Sequence, residues 1–93
     1  MIRSFKTKAT EAVFQGQGVK GVGADVAKAA RRRLAQLDAA AQLEDMRDPP
    51  GNRLHALQGD RAGQWAVRVN DQFRVCFLWG PAGPEDVELV DYH

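Results

Sequence analysis

Apolar residues recur three and four apart in the first half of the chain and at alternate positions in the second, so the sequence divides into a helical part and a sheet part. Residues 2–6 alternate Ile2 and Ser4 with Arg3 and Phe5, which suits a short strand. Ala9, Ala12 and Val13 give residues 8–15 a helical spacing, halted at Gly16-Gln17-Gly18, and Gly21 and Gly23 punctuate a loop. Val26, Ala30, Leu34, Leu37 and Ala41 form one apolar stripe and predict a helix over residues 24–41, with Asp25 at its dipole-favoured start. Residues 43–48 hold at most one further turn, and Pro49-Pro50-Gly51-Asn52 ends any helix. Beyond it the period becomes two. Residues 53–58, 65–69, 73–79 and 86–92 read as strands. They are joined by Gly59-Asp60-Arg61-Ala62-Gly63, by Asn70-Asp71 and by Gly80-Pro81-Ala82-Gly83-Pro84.

The order β-α-α-β-β-β-β predicts an α+β domain with two N-terminal helices on one face of a small antiparallel sheet. Ninety-three residues make one domain, spanning 1–93, which buries only about 60–65% of its unfolded surface. Trp65, Val67, Val69, Val75 and Phe77 are the natural helix-facing set. Arg68 and Arg74 then stand on the opposite, open face, where two guanidinium groups can cradle a phosphate.

Charge sharpens this picture. The net charge is +1, yet residues 1–33 carry eight Lys/Arg against two acidic residues, and residues 34–93 carry five against ten. A basic half suggests a polyanion-facing surface, although charges also simply coat solvated faces. The single cysteine, Cys76, excludes an internal disulfide and a thiolate zinc site, and fits a reducing, cytoplasmic setting. The polar start, Met1-Ile2-Arg3-Ser4-Phe5-Lys6, suggests no signal peptide, and no apolar run is long enough to span a membrane.

Several chemistries drop out. Two histidines 38 positions apart make a poor metal set, and neither a phosphate-loop nor a dinucleotide fingerprint is present, so no metal or cofactor is expected. Ser4 is the only serine and lacks a nucleophile-elbow context. Cys76, in an apolar strand, reads as packing. Metal-free RNA cleavage fits what remains. RNA carries its own 2′-hydroxyl nucleophile, so a catalyst needs a base, an acid and cations for the phosphate. His55, His93, Tyr92, Asp91, Arg68 and Arg74 are the candidates. Each also has a plain structural reading: a half-buried strand histidine, an edge tyrosine, solvent-side arginines, a frayed end.

The residues that tie them together are Ile2-Arg3-Ser4-Phe5-Lys6, the helical Arg31-Arg32 with Leu34 and Leu37-Asp38, Arg53-Leu54-His55-Ala56-Leu57-Gln58-Gly59-Asp60-Arg61, Gly63-Gln64-Trp65-Ala66-Val67-Arg68-Val69-Asn70, Phe73-Arg74-Val75-Cys76-Phe77 and Asp91-Tyr92-His93. Nearly end to end they resemble the HigB/RelE superfamily of toxins from type II toxin–antitoxin systems, the plasmid maintenance system killer group. The stretch from Gly63 to Asn70 and the closing Asp91-Tyr92-His93 are the specific parts.

The resemblance implies a RelE-like fold and a ribosome-dependent mRNA interferase that cuts mRNA in the A site by metal-free 2′-hydroxyl attack. It implies His93 as leading acid or base, Asp91 and Tyr92 as orienting groups, Arg74 and Arg68 as phosphate ligands and His55 as a supporting proton-transfer group. Arg31, Arg32, Arg33, Lys28, Lys6 and Lys8, with Gln58 and Arg61, would meet ribosomal RNA. The implied partners are the ribosome, mRNA and a helix-turn-helix antitoxin of the HigA type, with operator DNA reached only through that antitoxin. One departure stands out: where the family usually reads H-P-L-K-G, this chain has His55-Ala56-Leu57-Gln58-Gly59, without the lysine. A weakened member acting as antitoxin partner and co-repressor, or a plain RNA-binding domain, are the alternatives.

Overall fold

Thr7 begins the folded core of the chain by capping the first helix. Its Oγ1 accepts from the Thr10 amide at 3.1 Å, satisfying an orphan N–H of α1 (Lys8–Phe14). Thr10 is buried, and its hydroxyl accepts from the Leu89 amide at 3.0 Å, which pins α1 to the last strand. The computed structural model describes residues 1–92; His93, and the acid–base role expected of it, lie outside the described residues.

The apolar stripe forms α2 (Ala24–Ala39) and buries Ala30, Leu34 and Leu37 completely. The helix stops two residues short of the expected end. Ala40 is extended, and Ala41 is exposed and donates its N–H to the Asp45 carboxylate. A 3-10 turn, Leu43–Arg47, follows and drops Met46 into the core. A second, Pro50–Asn52, begins at the proline pair. Buried Asn52 ties the two turns together, its Nδ2 lying 3.1 Å from both the Met46 and Asp48 carbonyls.

The sheet is an antiparallel meander in the order β1-β2-β3-β4: His55–Ala56, Trp65–Arg68, Phe73–Gly80 and Gly83–Asp91. The alternation is borne out, with Val67, Val75 and Phe77 wholly buried against the helices beside Val69 and Leu54. Three expectations change. The strand expected over residues 53–58 shrinks to two residues because Arg53 takes the left-handed conformation (φ 50°, ψ 50°) and Gln58 opens a 3-10 turn, Gly59–Arg61. The strand β4 starts at Gly83 rather than at residue 86, because Gly80 and Gly83 pair and leave only Pro81-Ala82 to turn. Gly83 has φ 133°, and a side chain there would sit 2.7 Å from the Met1 carbonyl, so only glycine fits.

The opening strand is reduced to a single parallel bridge, Phe5 to Val87. It forms where β4 bulges: two residues, Asp86 (φ 50°) and Val87, oppose Phe77, and Val87 turns its amide to the Ser4 carbonyl at 3.1 Å. Residues 2–6 thus flank β4 on the side away from β3.

Candidate active site

Register decides which side chains share the sheet face turned away from the helices. His55 stands opposite Ala66, Ala66 opposite Cys76, and Arg68 opposite Arg74. Since cross-strand partners point the same way and the face repeats every second residue, all of these lie away from the helices. At one end of this face Arg53, His55, Arg68, Arg74 and Tyr92 line an open cleft of about 330 Å³.

The cleft is cationic at its centre. Arg68 and Arg74 face each other directly across β2 and β3, a like-charge pairing that disfavours the sheet. The Arg68 guanidinium meets the exposed Asp71 carboxylate at the hairpin tip. That of Arg74 lies 5.0 Å from the centroid of the Tyr92 ring. Its Nε is buried and has no hydrogen-bond partner among the described residues, an unmet donor beside the cleft. Arg33, from α2, donates its Nε to the Arg68 carbonyl at 3.0 Å. Burial, then the charges of Arg32 and Arg68, lower its pKa. A third guanidinium is therefore drawn towards this pair from the helix layer.

The hairpin between β2 and β3 is built by a side chain. The Asn70 Oδ1 accepts from the amides of Gln72 (2.9 Å) and Phe73 (2.7 Å), closing the loop as an Asx turn. The Asn70 carbonyl in turn accepts from the Tyr92 hydroxyl at 3.1 Å. The loop thus fixes the tilt of the ring that covers Arg74.

His55 is exposed, and its Nδ1 lies 2.8 Å from the Arg53 carbonyl. A carbonyl oxygen can only accept, so this contact requires the proton on Nδ1 and leaves the neutral ring's lone pair on Nε2.

The structure therefore gathers Arg68, Arg74, Tyr92 and His55 from the expected set and adds Arg53. It does not gather the rest. Asp91 is outside the cleft lining; it pairs with Phe73 in the sheet and accepts from the Gln72 amide group at 2.9 Å. Gln58 is exposed and also outside the lining. Arg61 is half-buried and occupied, with Nη1 3.2 Å from Glu88 and 3.0 Å from Gln64. Lys6 reaches the same Glu88 at 3.9 Å and, with Lys8 and Glu11, borders a separate hollow along residues 2–8. Arg31 and Lys28 flank the Gly16–Gly18 loop, while Arg32 is exposed. Cys76 is wholly buried among Arg74, Arg61 and Glu88, and burial pushes its thiol up. That agrees with packing rather than nucleophilic use.

Sequence reasoning missed Arg53 because a run of alternating residues gave no sign of the left-handed kink. Its separation of two from His55, with core residue Leu54 between them, was the signal that could have found it.

Two helices on one face of a four-stranded antiparallel sheet, with a cationic cleft on the other, define a RelE-like toxin fold. A chain of the "YoeB-YefM complex from Staphylococcus aureus" shares it, with a TM-score of 0.62 over 100% of this chain and 98% of that one at 14% identity. The family model described as "RelE-like toxin of type II toxin-antitoxin system HigB" matches residues 3–93, and the chain belongs to this HigB-like toxin family. "Toxin HigB-1" of Vibrio cholerae is 36% identical over 80 residues, covering 85% of this chain and 84% of that toxin. "Endoribonuclease HigB" of Proteus vulgaris is 30% identical over 93 residues and covers both chains fully.

Proposed function

We propose that this toxin is an endoribonuclease that cuts mRNA in the ribosomal A site, by metal-free attack of the RNA 2′-hydroxyl, and that a helix-turn-helix antitoxin restrains it. The observation that carries the reading is the Arg68–Arg74 pair: two like charges held face to face on an uncovered sheet face, one with an unmet buried donor. A scissile phosphate would add negative charge to a pair whose carboxylate partner among the described residues, Asp71, meets Arg68 at the exposed hairpin tip. The name of the Proteus vulgaris relative supports an endoribonuclease.

In this mechanism Arg68 and Arg74 bind the non-bridging phosphate oxygens and stabilise the charge that builds on them. The Tyr92 ring holds the Arg74 guanidinium in place. His55 and, by correspondence with the family motif, His93 divide the two proton transfers, and Asp91 orients the end of the chain. Arg31, Arg32 and Lys28 dock on ribosomal RNA. The cut leaves a 2′,3′-cyclic phosphate and a 5′-hydroxyl.

The test is cleavage of a short mRNA on programmed ribosomes, with the toxin freed of bound metal by chelator and gel filtration beforehand, Mg2+ held at the level the ribosome needs, and 5′ ends mapped. The wild type should cut within codons and leave 5′-hydroxyl ends. Arg74→Ala should cut roughly 10²–10³-fold more slowly, the scale of losing one donor to a developing anion. Equal rates for Arg74→Ala and the wild type, or a metal-stripped toxin that cuts only after a transition-metal ion is returned to it, would refute the mechanism.

A further inference from the structure

The left-handed turn at Arg53 has a structural job that glycine or asparagine ordinarily fills: it ends the Pro50–Asn52 turn, with the Arg53 amide donating to the Pro50 carbonyl at 3.1 Å. An arginine there carries a long side chain through a backbone region that disfavours it. The same kink turns the Arg53 carbonyl onto His55 Nδ1, 2.8 Å away, and both residues line the cleft. Leu54, between them, is held in the core and anchors the pair.

We propose that Arg53 is the positioning residue of the cleft: its carbonyl holds the Nδ1 proton of His55, so that Nε2 is the nitrogen that takes a proton from RNA, while its guanidinium borders the substrate phosphate. This rests on the ribonuclease reading above. As base, neutral His55 removes the 2′-hydroxyl proton at Nε2 and becomes an imidazolium. Its positive charge is stabilised by the Arg53 carbonyl dipole already facing Nδ1–H. The 2′-oxygen forms its bond to phosphorus, the bond from phosphorus to the 5′-oxygen breaks, and that oxygen leaves with a proton from His93. The guanidinium of Arg53 adds a further cation to those of Arg68 and Arg74, on the β1 side of the cleft.

The tautomer can be read without any activity assay. Two-bond proton–nitrogen correlation spectra of 15N-histidine-labelled toxin, taken at about pH 8, above the ordinary imidazole range, distinguish a protonated ring nitrogen from a bare one. A His93→Gln sample assigns the two rings. The wild type should show His55 protonated on Nδ1, the form that is minor in free histidine. Arg53→Gly keeps both the carbonyl and the left-handed backbone, and should keep that tautomer. Arg53→Val, β-branched and ill suited to positive φ, should lose it while still folded. In the ribosome assay the loss in Arg53→Gly should fall mainly on KM, by about tenfold for each charge-assisted hydrogen bond removed, and the loss in Arg53→Val on kcat.

A wild-type His55 protonated on Nε2 would overturn the proposal whatever the activity. So would a folded Arg53→Val that keeps the Nδ1 proton. If the tautomer is as stated and the wild type cuts no RNA, the ribonuclease reading fails and takes the proton role with it. The two failures are thus told apart by which measurement fails.

Discussion

Arg68 and Arg74 carry a residue-scale cost that the proposed phosphate site would offset. A pair of apolar or opposite-charge residues at that cross-strand position would favour the sheet by roughly 0.2–1 kcal/mol, and two arginines do the reverse. Cys76, a neighbour on the same face, gives a measurable consequence. Burial raises its thiol pKa above the ordinary value of about 8.5. The unfolded chain therefore loses this proton first. The contribution is fully present below the unfolded value and is lost as pH rises through the folded one. Urea midpoints should fall as pH rises above the ordinary thiol range, and those of Cys76→Ala should fall less steeply. At neutral pH the thiol should alkylate only as fast as the chain unfolds. Alkylation at the rate of a free thiol would show that the site is open.

At the scale of elements, α2 does two jobs at once. Leu34 and Leu37 face the core, and Arg33, just before them, reaches around to hold the Arg68 carbonyl. The three consecutive arginines are therefore not equivalent. Arg33→Ala should lower the unfolding free energy by about 1.5 kcal/mol, the scale of a hydrogen bond to a charged donor, whereas exposed Arg32→Ala should stay within about 0.5 kcal/mol. Chemical denaturation of the two variants checks this. Equal effects would mean that the Arg33 bond contributes no stability.

The same elements show how far the sequence can be read. Alternation from Trp65 to Trp79 was enough to assign both faces of β2 and β3, and so to place Arg68 and Arg74 together. It could not reveal the kink at Arg53, a left-handed conformation at a residue type that gives no sign of it, nor the bulge at Asp86 and the early start of β4, which lie against residues distant in sequence. Met1 against Gly83 and Ser4 against Val87 are the instances here. The tie of Arg33 to Arg68, 35 positions apart, is of the same kind. Asp91 was grouped with Tyr92 by adjacency, but successive strand residues point to opposite faces, and only Tyr92 reaches the cleft.

Over the whole molecule, the surplus of six positive charges in residues 1–33 is spread over several places, and Arg33 ties it to the cleft arginines through β2. Ribosome binding should accordingly weaken with salt. Between about 50 and 200 mM, each phosphate interaction removed by Arg31→Gln or Arg32→Gln should flatten the slope of log K against log salt by about 0.7–0.9. An unchanged slope in the double variant would remove these residues from the RNA-facing surface. The pairing of residues 2–6 with β4 bears on a different matter, the order of synthesis. Strand β4 lies between residues 2–6 and β3, so the sheet is completed from its interior by a strand made after both of its neighbours. Until residues 83–91 have left the translating ribosome, the amino-terminal segment has no strand to join and β3 has an open edge. Tyr92, a wall of the cleft, follows later still. A nascent chain of this toxin is thus without its complete cleft until β4 and Tyr92 are in place.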